Sequence, residues 1–327
     1  MTKATILVVT YNSARWRERQ AAALAAQTET NWRLVVIDNA SEPAERPHAS
    51  DFAFAVEIIQ NDRNVGFAEA NNLAAEGRQT PYLVFLNPDA FPDPNWLGAL
   101  LKTADEYPQA VAIGSTQFRD SASGVLDGAG DVLHASGFAY RSNYGKRHAV
   151  EPLAETFSPC GAAMLVRREA FAAVGGFDAR YFCYFEDVDL GFRLRLAGYR
   201  VLQSPDAIVT HVGGGSAGAI SAFAEFHGAR NRLWTFVKCM PGVLMWLLFP
   251  AHLLTTALVA TLAPIRGRGL GGWRGILAGF AGLGPIWKTR RALQVARKAS
   301  LSDIAAALAW SPDVFFTRRA VRRKIRG

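Results

Sequence analysis

The run from Pro81 to Phe91, P-Y-L-V-F-L-N-P-D-A-F, constrains the chain more than any other feature. Its apolar stretch has no apolar–polar alternation, so a strand there must be covered on both faces, as strands of a parallel sheet are. A-T-I-L-V-V-T, R-L-V-V-I-D and F-A-V-E-I-I-Q are short, β-branched runs of the same kind, separated by segments of helical character. This rhythm predicts an α/β fold with an open, mostly parallel sheet flanked by helices. Ser13 is placed to cap a first helix through Ala26, Asn64-Val65-Gly66 precedes a second, and Pro94 opens a third ending near Tyr107. Residues 119–157 are rich in Gly, Ser and Asp and hold no period, which predicts an active-site loop or a β-excursion. Regularity returns with C-G-A-A-M-L-V, an acidic helix from about Glu186 to Ala197, and a strand near V-L-Q-S-P-D-A-I-V-T.

Open sheets of this type bind ligands beyond the carboxyl ends of their strands, and carboxylates stand at those places. Asp89 ends the Tyr82 strand in N-P-D, where it could hold a hard cation beside a diphosphate, although Pro-Asp is also ordinary turn chemistry. Asp38 ends the second strand in V-V-I-D-N-A-S, where it could accept hydrogen bonds from a nucleobase or ribose or simply close an Asx turn. Asn64 and Gly66, at a helix start, offer backbone N–H groups to an anion. His211 follows a strand and precedes a glycine run; a solitary His is more often structural, but this one could join a metal shell. No G-x-G-x-x-G follows the first strand, which argues against a dinucleotide oxidoreductase.

The acidic helix opens F-E-D-V-D-L-G-F-R. At about 100° per residue, Gly191, Leu194 and Gly198 fall on the side of Asp187, while Glu186, Asp189 and Arg193 cluster opposite. Asp189 and Arg193 then form an i,i+4 pair, worth about 0.3–0.5 kcal/mol if exposed. Asp187 faces an apolar, glycine-lined surface, where desolvation would raise its pKa and suit it to proton abstraction. The alternative is an acid that merely favours the helix dipole.

Half of the 327 residues are hydrophobic, enough for a large core and an appendage. Three cysteines without metal-ligand spacing suggest a reducing compartment and buried small side chains. The N-terminus runs directly into a strand pattern, so a secretory signal is not expected. After residue 262, fourteen Lys or Arg face two Asp, a balance of +12 within a net +8, so the first 262 residues carry −4. Nucleic acid could meet such a tail, but the adjoining apolar stretch favours an anionic membrane surface, and no nucleic acid is expected. That stretch, residues 242–265, contains no Asp, Glu, Lys or Arg. As a helix it would extend roughly 36 Å, enough to span a hydrocarbon core of about 30 Å. Pro250 and His252 oppose spanning, and a helix lying in the interface is an equal alternative, with a buried core helix third. The chain therefore divides into residues 1–215, a catalytic domain, and 216–327, a helical region with an apolar segment and a basic tail. The oligomeric state stays open.

V-V-T-Y-N-S, V-I-D-N-A-S, N-V-G-F-A-E-A-N-N, L-N-P-D-A, C-G-A-A-M-L-V-R-R and Y-F-E-D-V-D-L-G-F-R-L-R-L-A-G-Y-R together resemble the inverting family 2 glycosyltransferases of the GT-A fold, rhamnosyltransferase-like branch, from residue 4 to about 240. The resemblance implies a nucleotide-diphosphate sugar donor, a divalent cation (Mn²⁺ or Mg²⁺), and a single displacement that inverts the anomeric centre. Carried over, Tyr11, Asp38 and Asn39 would line the nucleoside pocket, and Thr10, Asn12, Asn64, Gly66, Asn87, Glu186 and Arg230 are also expected on the substrate. Asp89 and His211 would hold the metal, and Asp187 would be the base. The first acid of the family's D-x-D is Asn87 here, one charge fewer. R-N-R-L-W also looks like a family element, so Arg230 or Arg232 could meet an acceptor's phosphate or be solvated on a membrane-proximal helix. The expected activity is transfer of a sugar, rhamnose from dTDP-rhamnose or a hexose, to a lipid-linked cell-envelope glycan at the cytoplasmic membrane face. A polyprenyl-phosphate glycosyltransferase and an inactive nucleotide-sugar binding protein are the alternatives.

Overall fold

The computed structural model describes residues 2–120, 122–149, 151–213, 221–265, 267, 269–323 and 325. The glycine-rich hinge and the 215/216 boundary expected from sequence lie at or within residues 214–220, outside the described residues.

The apolar runs form the centre of a sheet. β1 (Ala4–Thr10) leads through α1 (Ala14–Ala25) to β2 (Trp32–Asp38), then β3 (Val56–Gln60), α2 (Gly66–Ala75) and β4 (Tyr82–Leu86). A short β5 (Ala90–Pro92) precedes α3 (Trp96–Glu106) and the long β6 (Ala110–Asp120). Residues 119–157 are the β-excursion: β7 (Val125–Gly128), a separate hairpin of β8 (Asp131–Leu133) and β9 (Ala139–Arg141), and β10 (Ala154–Glu155). β11 (Ala163–Arg167), α4 (Arg168–Ala173), α5 (Glu186–Leu196) and β12 (Arg200–His211) complete the body.

The sheet runs β10-β12-β6-β11-β4-β1-β2-β3, with β5 on β12 and β7 on β6. β1 to β4, β6 and β12 point one way; β11 is inserted antiparallel between β4 and β6. The predicted mostly parallel sheet is therefore correct; the C-G-A-A-M-L-V run is antiparallel within it, as are the short β5, β7 and β10. Along β1, Ile6 and Val8 pack against α1 and α3, whereas Leu7 and Val9 join Ala68, Phe171 and Leu190 from α2, α4 and α5. This two-sided alternation is why the runs read as continuously apolar. β3, at the edge, is only half-buried. Ser13 sits at the N-cap of α1, but its side chain makes no capping bond; Glu45 receives the Ala14 N–H instead, at 2.8 Å.

Helices α6 (Ala222–Cys239), α7 (Gly242–Ile265), α8 (Gly271–Ala281), α9 (Leu283–Val295), α10 (Leu301–Ala307) and α11 (Val314–Thr317) follow. They do not form a separate core. Phe157, Val188, Phe192 and Leu196 of the body pack in one cluster with Phe236, Met245, Leu248 and Ile304. α7 is one helix despite Pro250, and it buries Met245, Leu248, His252, Thr256, Ala260 and Ala263, one face along most of its length. Its other face exposes Val243, Trp246, Leu247, Leu254, Leu258 and Ile265. Part of the basic tail folds back: Arg323 pairs by backbone with Glu155, and Arg322 with the Glu151 carboxylate.

Candidate active site

β1 lies between β2 and β4, so chain connections diverge there and open a crevice beyond the carboxyl ends. On the β1–β2 side the loops are tied together. Asn12 donates its N–H to Ser41 Oγ (2.9 Å) and accepts from the Glu42 N–H (2.9 Å), while Tyr11 stays exposed on the rim. Asp38 is fully buried. Thr10 Oγ1 and Ser41 Oγ donate to one carboxylate oxygen, the Ser41 N–H and Gln60 Nε2 to the other. Each Asp38 carboxylate oxygen thus accepts two hydrogen bonds from neighbouring residues. Asp38 closes the Asx-type turn and aims Ser41 and Gln60 from behind.

Asn39 is likewise buried: its Oδ1 accepts from the Val65 N–H (3.0 Å) and Asn61 (3.1 Å), and its Nδ2 donates to Asn64 Oδ1 (2.7 Å). Asn64 Oδ1 also takes the Gly66 N–H (2.9 Å), and the Ala68 N–H goes to Phe182 O. At the start of α2 the Val65, Gly66 and Ala68 N–H groups are thus bonded within the protein. Gly66 is itself required: at φ +86° a Cβ would stand 2.6 Å from Phe182.

At the end of β4, Asn87 and Asp89 enter the crevice. β5 pairs Ala90 with His211 at the end of β12, which brings His211 Nε2 to 3.4 Å from Asp89 Oδ1. His211 Nδ1 lies 2.8 Å from Asp127 Oδ2, and Arg141 holds Asp127 in turn. Burial opposes a charge on His211, but the hydrogen bonds to Asp127 and Asp89 outweigh it and push the imidazole up to about 9. Asn87 Oδ1 is buried and without a partner among the described residues. An imidazole steadied by one carboxylate on Nδ1 while Nε2 faces an oxygen ligand is the arrangement of a metal-binding His. The oxygens of Asp89 and Asn87 suit a hard divalent cation, so the residues present fit one.

The opposite wall is the start of α5. Asp187 is half-buried, its Oδ2 receiving the Gly161 N–H and its Oδ1 the Val188 N–H, both at 2.8 Å. Burial raises its pKa despite these bonds. The glycine it meets is Gly161; Gly191 instead packs on Ser158. Nor is it isolated, because ligand atoms of Asp131, Cys160 and Asp187 lie within 4.8 Å of one another. Burial and the Asp187 charge push Asp131 well above the usual carboxylate range, and burial does the same to the Cys160 thiol. Glu186 is buried with Oε2 unpartnered, and burial, then Asp187, raise it strongly. Tyr184 is pushed up to about 12 chiefly by burial, with Cys183, Glu186 and Asp89 adding to the rise. The Asp189–Arg193 pair exists at 2.7 Å but is buried, with Lys238 also 2.7 Å from Asp189. The predicted i,i+4 pair thus forms, in the buried setting rather than the exposed one.

Asp187 is delivered by a strained turn in which Phe182, Tyr184 and Phe185 all have φ between 64° and 70°. Asn231 Nδ2 lies 2.9, 2.9 and 2.7 Å from the carbonyls of Tyr181, Cys183 and Tyr184. Arg230 donates to the Arg180 and Tyr181 carbonyls at 3.1 and 2.9 Å and stacks on Trp234. Arg230 therefore braces the turn. Sequence reasoning missed Asp127, Asp131, Arg141, Gly161 and Asn231. The D-G-A-G-D spacing from Asp127 to Asp131 was a signal, hidden in a segment without period.

The Glycosyl transferase family 2 model matches residues 5–175, more than half of the chain, and the chain belongs to that family. It is 32% identical over 230 residues to the N-acetylglucosaminyl-diphospho-decaprenol L-rhamnosyltransferase of Mycobacterium tuberculosis, covering 63% of this chain and 75% of that protein. It is 26% identical over 316 residues to the succinoglycan biosynthesis protein ExoA of Rhizobium meliloti, covering 91% and 89%. The mannosyltransferase PcManGT from Pyrobaculum calidifontis, solved with GDP-Man and Mn²⁺, shares the fold with a TM-score of 0.54 at 19% identity, covering 93% of this chain and 86% of that one. The architecture is GT-A, and the protein is a glycosyltransferase.

Proposed function

We propose that the protein is an inverting, divalent-cation-dependent glycosyltransferase that moves a sugar from a nucleoside-diphosphate donor to a lipid-linked cell-envelope glycan. The observation that carries this is the pairing of two unlike walls across one crevice. Asp89, Asn87 and His211 stand on one side, and a desolvated carboxylate, Asp187, on the other. A cation held by the first set would neutralise the diphosphate leaving group. Asp187 removes the acceptor hydroxyl's proton as that oxygen attacks the anomeric carbon from the face opposite the diphosphate, which inverts the centre. Gly161 and Val188 fix its oxygens in direction, and burial beside it holds Asp131 well above the usual carboxylate range. Tyr11 flanks the nucleoside, while Thr10, Asp38 and Asn39 stiffen the pocket from behind. The Asp131–Cys160–Asp187 group is a poor rival for the cation, because it includes a protonated thiol and would engage the base.

The rhamnosyltransferase relative supports a deoxyhexose donor and a diphospholipid-linked acceptor. α7 is the one helix among the described residues long and apolar enough to cross a membrane. Its buried stripe, packed along the body, favours instead a helix lying in the interface with its exposed row in lipid. The reading places the enzyme at the cytoplasmic membrane surface, where lipid-linked acceptors are reached. A donor screen with the purified full-length chain, with Mn²⁺ or Mg²⁺ and then with chelator, tests it by released nucleoside diphosphate and acceptor-dependent product. Turnover with one donor is expected; full activity in excess chelator would remove the cation from the mechanism.

A further inference from the structure

Between α6 and α7 lie three buried polar side chains with atoms that nothing among the described residues satisfies: Arg232 Nε, His252 Nε2 and Thr256 Oγ1. Their side chains are deeply enclosed, with residue exposures of 5%, 0% and 2%. Unpartnered polar atoms are costly in such a place. No direct ion pair of Arg232 is described, and burial, offset in part by the charge of Glu225, pulls its pKa down only to about 10, so it keeps its charge at neutral pH. Arg230, two residues earlier, is by contrast committed to backbone carbonyls.

The three belong to one locus. Phe236, one turn after Arg232 on α6, stacks on His252 with ring centroids 4.1 Å apart, and Arg232 acts electrostatically on His252. Thr256 is one turn after His252 on the same buried face of α7. His252 Nδ1 lies 2.9 Å from Ser136 O, so Nδ1 carries the proton and Nε2 offers a lone pair. Ser136 belongs to the loop of the β8–β9 hairpin, whose first residue, Asp131, touches the Asp187 group. Those five residues extend roughly 17 Å at most, a length an elongated glycosyl diphosphate can bridge. The outer face of α7 at the same level exposes Leu254 and Leu258.

We infer that Arg232, Thr256 and His252 form a subsite for the sugar-phosphate end of the lipid-linked acceptor. The guanidinium and hydroxyl donate to phosphate oxygens, and His252 Nε2 accepts from a sugar hydroxyl or amide. A bare anion would be met by donors alone; the acceptor in the set selects a phosphate that carries a sugar. Pro250, two residues before His252, removes one hydrogen bond of α7 and makes this the turn at which the helix can give way to admit it. The inference rests on the lipid-linked acceptor proposed above.

The test is Arg232→Met in the full-length protein, which keeps the apolar stem and removes the charge. Because Arg232 has no described hydrogen bond or direct ion pair to lose, only the longer-range attraction of Glu225, a merely structural role predicts little change in Tm and nothing else. Binding is measured to phosphatidylcholine vesicles carrying N-acetylglucosaminyl-diphospho-polyprenol, and to phosphatidylglycerol vesicles of matched charge. The expected result is a roughly ten- to hundredfold loss of affinity for the first, none for the second, and a rise in acceptor KM larger than any fall in kcat. Thr256→Val should give a smaller loss and carries the test if Arg232→Met does not fold. Undiminished binding of the glycosyl-diphosphate vesicles by both variants overturns the subsite. So does a parallel loss on both vesicles, which would mark a general anionic-lipid site, or equal protection of the wild type against unfolding by inorganic pyrophosphate. If the wild type ignores the lipid-linked sugar and transfers to a soluble glycan, the acceptor reading itself fails rather than the subsite alone.

Discussion

Asp187 and Asp189 are two residues apart on one helix and do opposite work. Asp189 is fully buried between Arg193 and Lys238, which hold its carboxyl below the usual range against the cost of burial. Asp187 has backbone donors but no cation within bonding distance, and burial raises it. Asp187→Asn should cut turnover by about 10²–10⁴ with donor affinity nearly intact. A carboxyl raised on folding favours the native state below its unfolded pKa and loses that contribution as pH rises, so the neutral Asn should leave Tm at pH 7 unchanged or higher. The same shift sets the acid limb of kcat above the ordinary carboxylate value of about 3.9, activity falling as pH drops through the raised pKa; a limb at or below that value would remove Asp187 as the base. Asp189→Asn strands buried cations and should cost about 3–5 kcal/mol of stability, read by denaturant unfolding. Both acids were legible in F-E-D-V-D, and the helical wheel separated them correctly. What the wheel could not see was that the side assumed exposed is covered by Lys238, forty-nine residues later.

At the scale of elements, the turn from Phe182 to Phe185 is the hinge between α6 and the base. Three positive-φ residues without glycine cost of order 1–3 kcal/mol each, and the Arg230 and Asn231 contacts offset that. Asn231→Ala should therefore lower kcat more than it raises donor KM, since it loosens the base rather than the donor pocket. Equal changes in both would point to wider collapse. α7 carries the second element-scale prediction. Leu247, Leu254 and Leu258 are 68%, 72% and 55% exposed, so changing all three to Ser should shift stability little. Membrane association should fall sharply in fractionation. For the wild type, carbonate release with resistance to high salt fits a helix in the interface; resistance to both would mean a spanning segment. Residues 242–265 read from sequence as spanning or interfacial alike, because composition records apolarity but not which face is already covered.

At the scale of the molecule, catalytic body and C-terminal helices share a core, so truncation after Lys238 should fail to fold rather than leave a soluble donor-binding domain: it removes Met245, Leu248 and Ile304 from a cluster that includes Val188, the residue after the base. A truncated chain with cooperative unfolding and donor affinity would refute this. Asp89→Ala should abolish the cation-dependent part of donor binding, measured by titration calorimetry with and without Mn²⁺, since Asn87 brings no charge to replace it. The four apolar runs by themselves determined an α/β fold with an open, mostly parallel sheet, because two-sided burial is a local consequence of sequence period, while the GT-A architecture followed from the resemblance of the ordered motifs. Only the tertiary structure decided which partners the polar groups take. Asp38, Asn39, Gly66 and Arg230 hydrogen-bond within the protein, Asp127, Asp131 and Asn231 enter from distant segments, and Arg232 Nε has no hydrogen-bond partner among the described residues. A hydrogen-bonding group's partner is set by which distant segments the fold packs against it, and no local pattern encodes that.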